Sequence, residues 1–280
     1  MKTNMDVETE KQNEKVAVLI SISSDIGHAL AKKYSKLGYK IIGTYRSEKL
    51  LEQLKEIPNC DLFYCDICNN ESINKFIDNF KNLKVKWDLL ISLPSNPLPL
   101  KAFFECDFEE WKDSVNINSI EQLKILHKLY KFRNIKNISN VIFFSGTGSN
   151  CSVVNYSAYV SSKIMLIKMC ELLDTENKDM KFSIIGPGWV KTKIHNKIMK
   201  NLDKTNPKYI ETKDFIENKQ GTDMEDIFQC VRWLEEQDKD VVGGRNFAVI
   251  NDKWKGEGRE ELIKELKSDK NMYKLRRYKN

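Results

Sequence analysis

Long apolar runs, clustered histidines and an apolar leader are all missing from this sequence. No apolar stretch approaches the about 20 residues that cross a bilayer, and the first residues, MKTNMDVETEKQNEK, are polar and charged. The three histidines, His28, His127 and His195, lie far apart, which argues against a catalytic zinc site. We therefore expect no membrane partner, no metal, a cytoplasmic location and a loose tail over residues 1–14.

The seven cysteines are an odd number without a secretion signal, which predicts reduced thiols rather than a disulfide framework. Cys60, Cys65 and Cys68 have part of an iron–sulfur spacing. They fall in or beside the apolar run DLFYCDI, however, without the glycines of a cluster loop or an obvious fourth ligand. Free cysteine side chains are therefore the favoured interpretation.

The sequence lacks blocks of charge of one sign along most of its length. Lysine and arginine number 46 against 40 aspartates and glutamates, a formal net charge of +6. Because the two signs are interspersed, we expect a mixed solvated surface and no nucleic-acid partner.

Short apolar runs alternate with amphipathic stretches along most of the 280 residues. The runs predicted as strands are KVAVLISI, YKIIGTYR, DLFYCDI, WDLLISL, NVIFFS, KFSIIG and GRNFAVI. Helical patterns between them begin near Ile26, Glu48, Asn70 and Phe108, and the last extends to about Asn134. Such alternation predicts an α/β fold, a single doubly wound Rossmann domain over residues 15–252 with about seven parallel strands and helices on both faces. Residues 253–280 are expected to form a C-terminal extension.

The segment 191–223 interrupts this alternation because it is polar, lysine-rich and without a strand. A long insertion after a late strand lies at the edge of the sheet where ligands bind, so we expect a substrate loop or lid, with an idle solvated loop as the alternative. Its basic residues could attract an anionic substrate such as a sugar derivative, or could form a solvated basic helix; they are Lys191, Lys193, His195, Lys197 and Lys200.

The stretch VLISISSDIGHALAKKY runs from a buried strand through a polar turn into a helix, where a nucleotide's phosphates usually bind. Two of the three glycines that such a turn uses are missing, since Ser21 and Asp25 stand in their places and only Gly27 remains. A serine is small and could bond a phosphate. The charge of Asp25 is unfavourable there unless it points away or caps the helix.

The stretch SGTGSNCSVVNYSAYVSSK contains the clearest chemical pattern. It places Ser145 at the end of the fifth predicted strand, and Tyr159 and Lys163 four residues apart at the start of a helix. Residues at this spacing share one helix face, and an ammonium beside a phenol lowers the phenol's pKa toward that of a working general acid or base.

In this order, the motifs resemble the short-chain dehydrogenase/reductase family over about Val16 to Ile250. The resemblance rests on Ser145, Tyr159 and Lys163, on WKDSVNINS with Asn118, on GPGWVKT with Pro187, Gly188 and Thr192, and on CDI with Asp66. It implies a nicotinamide-dependent oxidoreductase for a carbonyl or alcohol substrate. Tyr159 would transfer the proton, Lys163 would bind the ribose and lower the pKa of Tyr159, and Ser145 would stabilise the substrate oxygen.

The same resemblance implies further roles. Asn118 would hold a water in a proton relay, Thr192 and the backbone near Val190 would bind the carboxamide, and Asp66 would face the adenine. The family's glycine turn aligns with ISISSDIG and its Asn-Asn-Ala-Gly motif with Ser92 to Ser95. The full cofactor-binding set expected is Ser21, Ser23, Ser24, Asp25, Ile26, Gly27, Arg46, Asp66, Ile67, Tyr159, Lys163, Pro187, Gly188, Val190 and Thr192.

Cofactor choice depends on the end of the second predicted strand, GTYRS. An acidic residue there binds the ribose hydroxyls of NAD, whereas an arginine accommodates the 2′-phosphate of NADP. The sequence has Arg46 and no acid before Glu48, so we predict NADP(H) over NAD(H), with an ordinary surface charge as the alternative.

Two functions stay open. Asn118, Ser145, Tyr159 and Lys163 favour an active reductase or dehydrogenase, whereas the altered glycine turn favours a non-catalytic or regulatory Rossmann protein. The C-terminal MYKLRRYKN is basic, and the family's C-terminal segments often make subunit contacts. The resemblance therefore implies a homodimer or homotetramer.

Overall fold

The structure, a computed structural model, describes residues 14–277, so nearly all of the predicted N-terminal tail lies outside the described residues. One parallel sheet contains seven strands in the order β3-β2-β1-β4-β5-β6-β7. The strands are β1 (Val16–Ile20), β2 (Lys40–Tyr45), β3 (Cys60–Tyr64), β4 (Leu89–Ser92), β5 (Ser139–Phe144), β6 (Met180–Gly186) and β7 (Arg245–Ala248). The predicted doubly wound sheet is confirmed, and each strand lies within its predicted run or begins one residue before it.

Helices connect the strands. They are α1 (Asp25–Lys36), α2 (Leu51–Lys55), α3 (Asn70–Asn82), α4 (Phe108–Val115), α5 (Glu121–Leu129), α6 (Ser157–Glu176), α7 (Lys193–Lys200), α8 (Pro207–Asn218), α9 (Met224–Glu236), α10 (Lys239–Val242) and α11 (Arg259–Ser268). A π-helical segment, Asn116–Ile120, joins α4 to α5. The long helix predicted from Phe108 is thus one helical run with a π segment inside it, and it ends in a 3₁₀ turn at Phe132. Within residues 14–277, no helix is both long enough and apolar enough to cross a membrane.

The sheet is covered on both faces by apolar side chains. Ala17 and Leu19 of β1 join a core with α1, α9 and α11, whereas Val18 and Ile20 join a second core with α3, α5 and α6. Alternate residues of a strand point to opposite faces. Burial on both faces is the reason that the strands are continuously apolar in sequence.

The chain order reverses at β1, which pairs with β2 on one side and β4 on the other. In open α/β sheets, ligands bind in the crevice outside the carboxyl ends of the strands at this reversal. The turn between β1 and α1 lies at that point. The fold therefore places the altered glycine turn where a nucleotide would bind.

The segment 191–223, which we call the lid segment, folds as the two helices α7 and α8 rather than as an irregular loop. His195 and Ile198 are the buried residues of α7, and Thr212 and Phe215 are those of α8.

The C-terminal extension covers the outer edge of β7. The backbone N–H of Asn246 donates to the carbonyl of Tyr273 in the extension (2.9 Å), whereas that of Ala248 donates to Asp252 Oδ2 just before the extension begins (2.6 Å). The buried guanidinium of Arg245 donates to three carbonyls of the extension, those of Leu266, Asp269 and Met272. An edge strand with unpaired amides is a template for unwanted pairing, and here the chain covers it.

Candidate active site

A cavity of about 750 Å³ opens at the carboxyl ends of the strands, within the size range of small-molecule sites. The turn after β1 lines it with Ser21, Ser24, Asp25 and Ile26. The segments after β4, β5, β6 and β7, the lid segment and the C-terminal extension add to the wall, and Ser145, Tyr159 and Lys163 all line the same space. The three residues of the clearest sequence pattern are thus brought together with the predicted cofactor turn.

Ser21 adopts the backbone conformation that a glycine would supply. Its φ is +68°, in the left-handed region that non-glycine residues rarely enter. The conformation is held by its N–H, which donates to Thr44 Oγ1 on β2 (3.0 Å). Loss of the first family glycine therefore leaves the path of the turn intact, at a strain cost of about 1 kcal/mol.

Gly27 is the glycine that the turn cannot lose. A Cβ there would lie 2.7 Å from the carbonyl oxygen of Ser21 and 2.8 Å from Ser24 Oγ. Ser24 Oγ also accepts the N–H of Gly27 (3.0 Å) and so caps α1. Asp25, for which helix capping was one expectation, does not supply this cap.

The carboxylate of Asp25 reaches across the crevice to the lid segment. Asp25 Oδ2 accepts the backbone N–H of Lys193 at the start of α7 (2.7 Å), and Oδ1 lies 3.4 Å from Lys193 Nζ. A carboxylate at a helix N-terminus is favourable because the amides there carry partial positive charge. Asp25, which replaces the second family glycine, therefore links the turn after β1 to the lid segment.

Tyr159 and Lys163 are both buried, on the first two turns of α6. Lys163 Nζ donates to the carbonyl of Phe144 (2.9 Å) and lies 5.6 Å from the centre of the Tyr159 ring. Burial lowers the pKa of Lys163 to about 8. Gly146 leaves room for the phenol, since a Cβ at that position would overlap its hydroxyl.

In the protein alone, the pKa of Tyr159 is set by burial rather than by Lys163. Burial raises the pKa of the phenol, and a hydrogen bond with the side chain of Ser95 opposes this only in part. The physical reason is that desolvation disfavours the phenolate. Tyr159 is therefore protonated at neutral pH, as a proton donor must be.

Ser145 is positioned by β6 and β7. Its N–H donates to the carbonyl of Ile185 (2.8 Å), and its hydroxyl donates to Asn246 Oδ1 (3.0 Å). Asn246 lines the cavity, and its own backbone is held by Tyr273 of the C-terminal extension. No local sequence pattern indicates Asn246, because only the pairing of β6 with β7 brings it to Ser145.

Asn118 is fully buried in the π-helical segment. Its side chain accepts the N–H of Asn96 (2.7 Å) and donates to the carbonyl of the same residue (2.8 Å). Its own carbonyl accepts from Gln122 Nε2 (2.8 Å). Asn118 thus braces the loop after β4, and it does not line the cavity described above.

The predicted cofactor residues fall into two groups. Those that line the cavity are Ser21, Ser24, Asp25, Ile26, Tyr159, Lys163, Pro187, Gly188, Val190 and Thr192. Those outside its lining are Ser23, Gly27, Arg46, Asp66 and Ile67. Arg46 Nη1 lies 3.9 Å from Asp66 Oδ1, and the arginine side chain is 64% exposed. This guanidinium is therefore only loosely held and can turn toward a ligand.

The basic residues of the lid segment do not converge on one point. Lys193 pairs with Asp25, Lys197 Nζ donates to Asn96 Oδ1 (2.6 Å), and Lys191 Nζ donates to the carbonyl of Ile216 (2.9 Å). His195 is stacked on Trp189 (5.6 Å between ring centres). Lys208, which the sequence pattern did not single out, lines the cavity beside Trp189.

A doubly wound sheet with a helix-capping turn at its reversal, and a buried tyrosine and lysine in the same crevice, define a dinucleotide-dependent α/β enzyme. The family model described as enoyl-(acyl carrier protein) reductase matches residues 21–250. The chain belongs to the short-chain dehydrogenase/reductase family, whose members are nicotinamide-dependent oxidoreductases acting on small molecules.

Relatives and solved structures agree with this assignment. The chain is 28% identical over 197 residues to a 3-oxoacyl-[acyl-carrier-protein] reductase of Buchnera aphidicola, which covers 66% of this chain and 78% of the relative. It is 24% identical to a dehydrogenase/reductase SDR family protein 7-like of Dictyostelium discoideum, with 68% of this chain and 63% of that protein covered. Less than two thirds of the Dictyostelium protein is therefore spanned.

Two solved structures share the fold. A short-chain dehydrogenase/reductase from Saccharomyces cerevisiae superposes with a TM-score of 0.77 at 23% identity, covering 85% of this chain and 97% of the other. A variant of actinorhodin polyketide ketoreductase with NADPH superposes with a TM-score of 0.75 at 21% identity, covering 85% and 96%.

Proposed function

We propose that this protein is an NADP(H)-dependent reductase or dehydrogenase in which Tyr159 exchanges a proton with the substrate oxygen. The observation that carries the proposal is that Ser145, Tyr159 and Lys163 line one cavity together with the turn after β1. Burial raises the pKa of Tyr159, so the phenol holds its proton at neutral pH and can act as the acid in carbonyl reduction. The nicotinamide, when bound, supplies or accepts the hydride.

The side chains divide the remaining work. In reduction, the Tyr159 proton goes to the carbonyl oxygen as the carbonyl carbon gains a hydride, and the product is an alcohol. The Lys163 ammonium, with one of its N–H groups bonded to Phe144, has two left to bond a ribose and to stabilise the resulting phenolate. Ser145, oriented by Asn246, would hydrogen-bond the substrate oxygen.

The preference for NADP(H) is supported by Arg46. Its exposed guanidinium lies at the end of β2 with one long ion pair to Asp66. A guanidinium pairs bidentately with a phosphate. Ser23, Asp66 and Ile67 would complete the adenosine side, outside the cavity that holds the reacting groups.

We also propose that the lid segment closes over an anionic substrate, with a sugar derivative as one candidate class. Lys193, Lys197 and Lys208 of this segment line the cavity. Two of these ammonium groups bond to residues on the cofactor side, Asp25 and Asn96.

A homodimer or homotetramer remains part of the proposal. Exposed apolar side chains lie on neighbouring helical surfaces, with Phe104 97% exposed before α4 and Phe108, Ile120, Met165 and Leu172 exposed on α4, the π segment and α6. Apolar side chains grouped in this way are typical of subunit interfaces. A cytoplasmic location stays a prediction, supported by seven free thiols.

Direct binding and turnover test the proposal. With the purified full chain, we expect NADPH fluorescence to change on binding, and NADPH to be consumed with a panel of ketones and oxo-acids. Tyr159→Phe should lower turnover by about 100-fold or more because it removes the proton donor, with NADPH binding retained. Tyr130→Phe, at an exposed tyrosine outside the cavity, is the matched control. Full turnover by Tyr159→Phe would refute the mechanism.

The second candidate, a non-catalytic or regulatory Rossmann protein, is favoured by one observation. The backbone N–H of Lys193, beside the turn after β1, already donates to the Asp25 carboxylate, so it is not available to a cofactor phosphate. Absence of NADPH and NADH binding at millimolar concentration would favour this candidate over the enzyme.

A further inference from the structure

We infer that the lid side of the cavity is a binding site for an acidic group, a carboxylate or a phosphate, and that Lys208 and Tyr156 hold it. The inference rests on the proposed function, because these residues line the same cavity as Tyr159. It names the part of the substrate that lies away from the reacting carbonyl.

Lys208 is the cation of this site. It lies on the first turn of α8, its side chain is only 21% exposed, and its Nζ is 4.4 Å from the centre of the Trp189 ring and 5.7 Å from that of Tyr156. One N–H group bonds to Glu211 Oε2 (2.7 Å). An ammonium has three such donors, so two are available to an acidic ligand that would bind beside Glu211 or displace it.

Tyr156 supplies an unused hydroxyl next to this cation. The residue is 4% exposed, and its hydroxyl has no hydrogen-bond partner within the part of the chain that the structure describes. A buried unpaired hydroxyl costs about 1–3 kcal/mol, which a ligand oxygen would recover. The ring is edge-on to that of Tyr159, with 6.1 Å between centres. The acidic group would therefore bind one ring away from the catalytic phenol.

His195 adds an acceptor rather than a second charge. The residue is 8% exposed, and its Nε2 lies 2.8 Å from the carbonyl of Val190, which assigns the ring proton to Nε2. Burial lowers its pKa, so the ring is neutral at pH 7. Its Nδ1 has no partner among residues 14–277. A lone pair at this place suits a hydroxyl on the ligand, so a hydroxylated acid fits better than a plain one.

Two other lysines of the lid segment that line the cavity are held toward the cofactor side, whereas the partner of Lys208 is Glu211 of its own helix. Lys193 is tied to Asp25 in the cofactor turn, and Lys197 bonds to Asn96 after β4. Lys208 instead lies between the rings of Trp189 and Tyr156. The charge that can select a substrate is thus separate from the charges that lie near the cofactor.

The experiment compares substrates that differ only in the acidic group. With NADPH saturating, kcat/KM is measured for a hydroxylated 2-oxo-acid against its methyl ester, and for dihydroxyacetone phosphate against dihydroxyacetone. We expect at least one acid to be preferred over its neutral partner by about 10–100-fold, the range of one hydrogen bond to a charged group. The preferred pair shows whether the group is a carboxylate or a phosphate.

Variants then test which residue causes the preference for the acidic substrate. Lys208→Met should reduce the acid-to-neutral ratio of kcat/KM to near one, mainly through a higher KM for the acid, and Lys208→Arg should restore part of it. Tyr156→Phe should lower the ratio by about 5–10-fold. Lys213→Met, at an exposed lysine of the same helix outside the cavity, is the matched control and should leave the ratio unchanged.

The outcomes separate the two proposals. If ketones and esters are reduced as well as the acids, and Lys208→Met leaves the ratio as it was, the acid site is wrong and the reductase stands. If neither NADPH nor NADH binds, the proposed function itself fails. A preference that survives Lys208→Met but not Lys213→Met would also overturn the assignment of Lys208.

Discussion

Among single residues, Lys163 shows most directly that burial of a charge in the candidate active site costs stability. Its ammonium is buried with one backbone carbonyl as partner, and burial lowers its pKa from 10.5 to about 8. Between these pH values the unfolded chain binds more protons than the native protein. The free energy of unfolding therefore rises with pH across this window, and below it the full penalty of the buried charge applies.

Lys163→Met should remove this penalty. At pH 7 we expect the variant to be more stable than the wild type by about 2 kcal/mol. Each pKa unit of the Lys163 shift favours the variant by about 1.4 kcal/mol, and the loss of the hydrogen bond to Phe144 offsets part of this gain. The advantage should shrink as the pH rises from about 8 to 10.5. Urea unfolding of both proteins over this pH range measures it, and a constant difference would contradict the argument.

Lys181→Met provides the comparison. Burial also lowers the pKa of Lys181 to about 8, but its Nζ bonds to the carbonyls of Glu235 and Gln237 and it does not line the cavity. Its substitution should change the pH dependence of stability in the same direction. Turnover should be lost only in the Lys163 variant.

The sequence predicts the reacting residues better than their surroundings. Tyr159 and Lys163 were predictable because helix spacing alone puts them on one face. The conformation of Ser21 was not, because φ there is held by Thr44 on another strand. Lys208 and Asn246 reach the cavity only through tertiary packing, which no local pattern encodes.

At the scale of elements, Asp25 links the turn after β1 to α7 across the crevice. Asp25 holds the first amide of α7 and pairs with the ammonium of the same lysine, Lys193. A pyrophosphate near this turn is repelled by the Asp25 carboxylate. It is attracted by the N–H and the ammonium of Lys193, to which that carboxylate is already bonded. Binding of a cofactor pyrophosphate therefore competes with the contact between Asp25 and Lys193.

Asp25→Gly, which restores the family residue, should tighten NADPH binding by about 5–10-fold, equivalent to about 1 kcal/mol. The reason is that one negative charge leaves the crevice while the Lys193 groups become available. Fluorescence titration at two salt concentrations measures the effect, which should be smaller at high salt.

Asp226→Asn is the control for this change. It removes a comparable ion pair, that of Asp226 with Lys255 (2.6 Å), at a position outside the cavity. NADPH affinity should not change in this variant. Weaker NADPH binding by Asp25→Gly would show instead that Asp25 supports the cofactor.

The elements themselves were predictable to different degrees. All seven strands followed from continuous apolar runs, because a parallel strand buried on both faces leaves this pattern. In the lid segment, α7 matches the alternative of a solvated basic helix, whereas α8 was not predicted; α7 buries only His195 and Ile198. So short a contact surface produces little apolar periodicity in the sequence.

At the scale of the whole molecule, the C-terminal extension contributes both to the stability of the sheet and to the wall of the candidate active site. It covers the edge of β7, and its Arg276 forms a two-bond ion pair with Glu171 on α6. It also lines the cavity through Tyr273, Lys274 and Leu275. Asn246, which orients Ser145, depends on it for a backbone partner.

Removal of residues 271–280 should lower the melting temperature by several degrees and promote aggregation. Arg245 would lose the carbonyl of Met272 (2.8 Å), and the exposed edge of β7 could pair with other chains. Thermal unfolding with light scattering measures both effects. Arg276→Gln, which removes the ion pair with Glu171 and local hydrogen bonds within the extension but leaves the edge covered, should cost less than about 1 kcal/mol. Equal losses in the two variants would contradict the role of the edge.

The covered edge of β7 also sets an order of events during biosynthesis. A chain is made from its N-terminus, and domains fold as they emerge. All seven strands precede the extension in the sequence, so the sheet can assemble while the outer amide of Asn246 is uncovered. Until the extension docks, this edge of the sheet is open to association with neighbouring chains, and the docking that protects the edge also brings Tyr273, Lys274 and Leu275 to the cavity.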